Sequence, residues 1–206
     1  TGLSLSSACV ISGTPSVVTA AANYTVTATN TGGSASATIN VTVKDVAPTI
    51  AFAGSPFTYT VGSAIPNLNP TRGGGTITSC ASSPALPAGL ALSSTCALSG
   101  TPTSPVAAAN YTLTATNSGG TSSDTLNITV KDVAPSIAYS GSPFTYTKGV
   151  LISSATPSNS GGTVVSCSPS AALPAGLSLS STCVISGTPS VVTAAANYTV
   201  TATNTG

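Results

Sequence analysis

One phrase, Gly2-Leu-Ser-Leu-Ser-Ser-Ala-Cys-Val-Ile-Ser-Gly-Thr-Pro15, returns as Gly89 to Pro102 and again as Gly176 to Pro189, each time 87 residues further on. The copies align without insertion or deletion, so the chain must fold as a row of like units. Its 206 residues hold two units and a fraction. Within the phrase, the apolar pairs Leu90/Leu92 and Cys96/Leu98 flank Ser93-Ser94-Thr95. That pattern predicts two short strands joined by a tight turn and closed by the Gly-Thr-Pro stop.

The rest of the unit has the same period of two. Tyr24, Val26 and Ala28 alternate with threonines. After Asn30-Thr-Gly-Gly33, Ile39, Val41 and Val43 alternate with Thr38, Asn40 and Thr42. One face is therefore dry and one wet, with a hairpin loop at the glycines. Ile50/Phe52, Phe57/Tyr59/Val61, Thr76 to Cys80, the repeated phrase, Tyr111/Leu113/Ala115 and Leu126/Ile128/Val130 complete one unit. About seven short strands with no helical periodicity predict an all-β chain of tandem antiparallel β-sandwiches. Lys44-Asp45-Val46-Ala47-Pro48 recurs as Lys131-Asp132-Val133-Ala134-Pro135. With a proline and no glycine, each linker reads as a short, stiff hinge and a domain boundary. The expected division is 1–45, the back half of one unit; 46–132, a complete unit; and 133–206, a unit without its last strand. Both ends fall inside a repeat, with more protein expected on either side.

Cys80 and Cys96 are 16 residues apart, as are Cys167 and Cys183; Cys9 aligns with the second of each pair, and its partner would precede the first residue. A local pair in every unit points to structural disulfides and an oxidising compartment, with buried free thiols as the competing reading.

Composition removes most chemistry. There is no histidine and no glutamate, and the carboxylates are Asp45, Asp124 and Asp132. No acid–base pair or nucleophilic triad can be assembled, so neither an enzyme nor a cofactor is expected. A net charge of +1 offers nothing to nucleic acid. No apolar run reaches the roughly 18 to 20 residues that span a bilayer. One aspartate per junction is too few for calcium, which leaves Lys44-Asp45 and Lys131-Asp132 as solvated pairs. The cysteine spacing does not suit zinc. The nine aromatics lie in strand-like runs and read as core; Tyr24, Tyr111 and Tyr198 are placed for a tyrosine corner, the hydroxyl bonding nearby backbone. Asn-x-Thr sequons occur at Asn23, Asn40, Asn110, Asn127 and Asn197, and glycosylation is only weakly signalled by them.

Three motifs in fixed order carry a resemblance. They are Ser-Pro-Phe-Thr-Tyr-Thr (Ser55–Thr60, Ser142–Thr147), Leu-Pro-Ala-Gly-Leu followed by Ile/Leu-Ser-Gly-Thr-Pro, and Asn-Tyr-Thr-Val/Leu-Thr-Ala-Thr-Asn before a Gly-Gly turn. Together they resemble the bacterial putative-immunoglobulin repeats, related to dystroglycan-type cadherin-like domains, over the whole chain. The resemblance implies Ig-like sandwiches in large secreted or surface-anchored bacterial proteins, as stalks or adhesins. It carries no catalytic residue. The cysteines depart from the pattern, since the position of Cys96 is more often glycine. The expected role is a structural segment of an extracellular stalk, fibre or filament that supports adhesion, its partners being neighbouring repeats and, through self-association, other copies. The alternative is an adhesin module whose loops bind a glycan or a host protein.

Overall fold

Alternating apolar and hydroxyl side chains leave an extended backbone with one face to bury, and the ordered stretches resolve in that way. The computed structural model describes residues 2–206, and among them there are strands and turns but no helix. The chain opens with a hairpin of β1 (Leu3–Leu5) and β2 (Ile11–Gly13), then a longer one of β3 (Thr19–Asn30) and β4 (Gly33–Val43). These hairpins are separate two-stranded sheets with no fully buried residue.

The next stretch forms a closed sandwich. It contains β5 (Pro48–Ala51), β6 (Phe57–Thr60), β7 (Thr71–Gly74), β8 (Ser79–Ser83), β9 (Leu90–Leu92), β10 (Leu98–Gly100), β11 (Val106–Asn117) and β12 (Gly120–Lys131). One layer is the four-stranded sheet β6-β12-β11-β8. The other is built from β5 with β7 and β9 with β10, extended by a bridge between Leu68 and Leu98. Ile50 and Leu98 from this second layer share one core with Leu113, Leu126, Ile128 and Val130 of the first. Burying each of these aliphatic side chains contributes about 1.5–3 kcal/mol. The repeated phrase forms the β9–β10 hairpin, with Leu98 opposite Leu92 and Gly100 opposite Leu90.

One pairing departs from the antiparallel rule. The chain runs along β5 and then switches layers, so β6 lies parallel to β12, from Phe57 beside Ile128 to Thr60 beside Lys131. Where β5 passes the start of β12, side chains take over from the backbone ladder. The Ser122 hydroxyl oxygen accepts the Ile50 N–H at 3.3 Å, and an Asp124 carboxylate oxygen accepts the Phe52 N–H at 2.7 Å.

The last stretch repeats this plan with shorter elements: β13 (Ile137–Ala138), β14 (Ser158–Asn159), β15 (Ser166–Pro169), β16 (Leu177–Leu179), β17 (Ile185–Gly187) and β18 (Val200–Thr203). Residues 144–147, the counterpart of β6, are not a strand. Their partner in the sandwich before is β12, which has no equivalent among the described residues.

Candidate functional site

Two features recur at equivalent positions in the second and third units: a disulfide inside the unit and a strap where the chain enters it. Ser93 organises the turn that holds the first. Its hydroxyl oxygen accepts the N–H groups of Thr95 at 3.2 Å and Ala97 at 2.9 Å, and its carbonyl accepts the Cys96 N–H at 3.0 Å. This wraps the chain so tightly that Cys96 takes φ 63°, and Cys9 and Cys183 take 60° in the same turn. That left-handed backbone favours glycine, the residue that the resemblance leads one to expect at this position. Here the strained position instead aims a sulfur at the opposite sheet. Cys80 on β8 is bonded to Cys96, and Cys167 on β15 to Cys183, each pair with Cα atoms 5.3 Å apart. Cys96 and Cys183 are fully buried. Each bond pins the four-stranded layer, or its β15 counterpart, to the hairpin of the other layer. Cys9 is half-buried and forms no disulfide among the described residues.

The two charged residues of the first linker sit in different settings. Lys44 is exposed, but Asp45 is half-buried, and its carboxylate accepts the N–H groups of Val46 at 2.9 Å and Thr76 at 3.1 Å. Among the described residues no ion pair joins Lys44 to Asp45, so the expected solvated Lys–Asp pair is replaced by a carboxylate that caps backbone. Asp132 likewise accepts the Val133 N–H at 2.8 Å, while Lys131 belongs to β12. Pro48 is not in a hinge: it is buried and opens β5. Pro135 is half-buried two residues before β13. The signal that could have found the strap was chemical: two of only three carboxylates in the chain stand at the same place in the repeat.

Other expected features are distributed as follows. Tyr111 is buried, but its hydroxyl makes no backbone hydrogen bond among the described residues, so the tyrosine corner does not form there. The Tyr139 hydroxyl donates instead to the Cys183 carbonyl, a contact that Phe52, at the equivalent position, cannot make. Burial raises the phenol pKa of Tyr139 and of Tyr59 above the usual tyrosine value. Asn23 with Asn40, and Asn110 with Asn127, form side-chain amide hydrogen bonds across their hairpins at 2.7 and 2.8 Å. No group of three or more His, Cys, Asp or Glu side chains that could hold a metal occurs among the described residues. Arg72 borders an open depression of about 270 Å³ with Gly73, Gly74, Gly75 and Thr95. No helix is long and apolar enough to cross a membrane among the described residues.

Comparison with known proteins gives a family. The model of the family described as Putative Ig domain matches residues 1–44, 41–131 and 130–206. No curated protein sequence matches the chain. Solved structures with similar folds include a titin fragment of three Ig domains, at 17% identity and TM-score 0.48, over 89% of this chain and 70% of that one. Immunoglobulin domains 1–5 of Sidekick-1 align at 19% identity and TM-score 0.38, over 90% of this chain and 42% of theirs. A chimeric titin tandem aligns at 21% identity and TM-score 0.32 over 54% of this chain, which spans 65% of the tandem's length.

Proposed function

The chain belongs to the Putative Ig domain family along its whole length, and on that premise we propose that it is a structural segment of a long extracellular array, a stalk or filament that spaces or attaches the surface of a bacterial cell. The array repeats a module of 87 residues, with 46–132 as one complete copy and 1–45 and 133–206 as parts of its neighbours. The observation that carries this reading is the sameness of the two units that flank the complete one. Residues 2–32 and 176–206 are identical at 30 of 31 positions, the one change being Ala8 for Thr182. A spacer needs equal modules, whereas recognition needs one face that differs. Four of the seven charges, Lys44, Asp45, Lys131 and Asp132, lie where one unit passes to the next, so Thr, Ser and Asn predominate on the outer faces, where Arg72 and Lys148 are the exposed charges among the described residues. Two disulfides fit a secreted, oxidising setting. The family is typically non-catalytic, and this member carries no enzyme activity on the proposed reading.

Arg72 supports a second reading, a glycan- or protein-binding adhesin, because it is exposed beside a depression and its counterpart in the next unit is Asn159. The two readings separate in one experiment. Chains of two, four and eight copies of the 87-residue module are imaged by electron microscopy and screened against glycans and matrix proteins. The spacer reading expects contour length to rise in proportion to copy number, with no ligand whose binding depends on Arg72. Saturable binding abolished by Arg72→Ala, or collapsed chains of constant length, would reject it.

A further inference from the structure

The turn between β11 and β12 lies about 70 residues from the linker that enters the same unit, yet the two are in intimate contact. Asn117, on the last residue of β11, has its side-chain oxygen occupied by the N–H groups of Gly119 at 2.8 Å and Gly120 at 3.2 Å. That fixes its amide nitrogen toward the linker, where it donates to the Val46 carbonyl at 2.7 Å, and the side chain is nearly fully buried in doing so. Ser118 accepts the Asp45 N–H at 3.0 Å. A Cβ on Gly119 would overlap the Asp45 carbonyl oxygen and stand 2.8 Å from the Ala47 nitrogen, so only glycine lets the linker approach this closely. From the other side the linker is held by Gly75, whose N–H reaches the Val46 carbonyl at 3.2 Å, and by Thr76, which donates to Asp45.

The next junction repeats the arrangement with its own residues. Asn204 donates to the Val133 carbonyl at 2.7 Å, and the Thr205 hydroxyl oxygen accepts the Asp132 N–H at 3.3 Å. A Cβ on Gly206 would crowd Asp132 and Ala134 in the same way. The turn asparagine also holds its own loop identically, accepting the Gly206 N–H at 2.8 Å. The contact survives the change from Ser118 to Thr205, so the hydroxyl and not the whole side chain is what the position requires.

We propose that the Asn-Ser/Thr-Gly turn of each unit is a docking seat for the linker that precedes that unit, and that its partner is the extended main chain of an Asp-Val-Ala segment. Recognition is through backbone: the seat takes a carbonyl at Val46 and an N–H at Asp45, while the Val46 side chain points into solvent, 69% exposed. The aspartate is the one side chain read, and its work is to hold the strap in shape by capping Val46 and, at the first junction, Thr76. The strap is thus part of the following unit. Because β12 continues through Lys131 and the next strap begins at Asp132, no free residue separates one sandwich from the next. In the spacer reading, on which this purpose rests, the seat is what removes a joint from the array.

Trypsin provides a test with internal controls, because the full chain has four sites, at Lys44, Arg72, Lys131 and Lys148. Cleavage is followed by mass spectrometry under native conditions in Asn117→Ala, Ser118→Ala and Asn204→Ala. Ser118→Ala is expected to speed cleavage at Lys44 about fivefold relative to Arg72, the factor carried by one hydrogen bond of about 1 kcal/mol, and Asn117→Ala, which also loses the bonds that hold the turn, about tenfold or more. Asn204→Ala should raise the rate at Lys131 and leave Lys44 unchanged. Ser118 is exposed and tolerates the change, so a folding defect in Asn117→Ala does not remove the test. Unchanged Lys44:Arg72 ratios in both variants, or a rise shared equally by Arg72, would overturn the seat. Either result leaves the spacer reading to be judged by contour length and ligand screening.

Discussion

The twelve residues of β3 (Thr19–Asn30) and the twelve at 193–204 have the same sequence, Thr-Ala-Ala-Ala-Asn-Tyr-Thr-Val-Thr-Ala-Thr-Asn, and do not form the same structure. The first is a strand from end to end, paired with β4 on one side only. The second is a strand only over Val200–Thr203, where β15 pairs with it. Between them stands β11, which differs at two positions, lies between β12 and β8, and is a strand over all twelve. Its Tyr111 is 5% exposed, while Tyr24 of β3 is 49% exposed. Alternation therefore sets which face can be buried, and neighbouring strands decide whether it is buried. The unit of folding is the sandwich: a lone hairpin such as β3–β4 pairs its backbone but fully buries no residue.

The sharpest way to break this contrast is to empty the same site in two contexts. Leu98 is fully buried in β10, and its counterpart Ile11 in β2 is 43% exposed. Leu98→Ala should destabilise the main thermal transition by about 4 kcal/mol. Ile11→Ala should change it by less than about 0.5 kcal/mol. Equal losses, measured by calorimetry of the full chain, would mean the first hairpins share the core after all.

Next in size is the disulfide. Replacing Cys80 and Cys96 together by alanine removes a 16-residue cross-link and should lower stability by about 3 kcal/mol in denaturant titrations. The variant Cys80→Ala with Cys96→Gly should recover about 1 kcal/mol of this, because glycine accepts the left-handed φ of 63° without strain. No recovery would reject the account of that turn. A smaller effect, about 1–2 kcal/mol, is expected for Asp124→Ala, which strands the Phe52 N–H beside β12. The smallest is none: a chelator should leave the melting temperature unchanged, since the junction carboxylates already cap backbone N–H groups. A loss of several degrees restored by calcium would contradict the strap.

Much of this was legible from the chain. The constant repeat fixed where units recur, and alternation at Tyr111/Leu113/Ala115 and Leu126/Ile128/Val130 located the two longest strands of the complete sandwich and their buried faces. The Ser93-Ser94-Thr95 turn read as a hairpin and is one. What could not be read were relations between residues far apart in sequence. Asp45 looks like half of a solvated ion pair until Thr76, 31 residues away, is seen to donate to it. Gly119 reads as an ordinary hairpin glycine, although the Asp45 carbonyl is what forbids a side chain there. The parallel register of β6 on β12 depends on a layer switch that no local pattern encodes. Tyr111 was placed for a tyrosine corner by its position, but a hydroxyl's partner depends on the backbone opposite, and it is Tyr139 that finds one.

Amide hydrogen exchange on the intact chain tests the central claim most directly, because successive N–H groups of a strand point to opposite neighbours. In β11 the N–H groups facing β12 and those facing β8 should both exchange slowly, about a thousandfold or more below unfolded rates. In β3 only the set directed at β4 should be protected, and across 193–198 protection should be nearly absent. The same protection over all three stretches would show that the shared sequence makes the strand by itself, and would contradict the account of a unit completed only between two neighbouring strands.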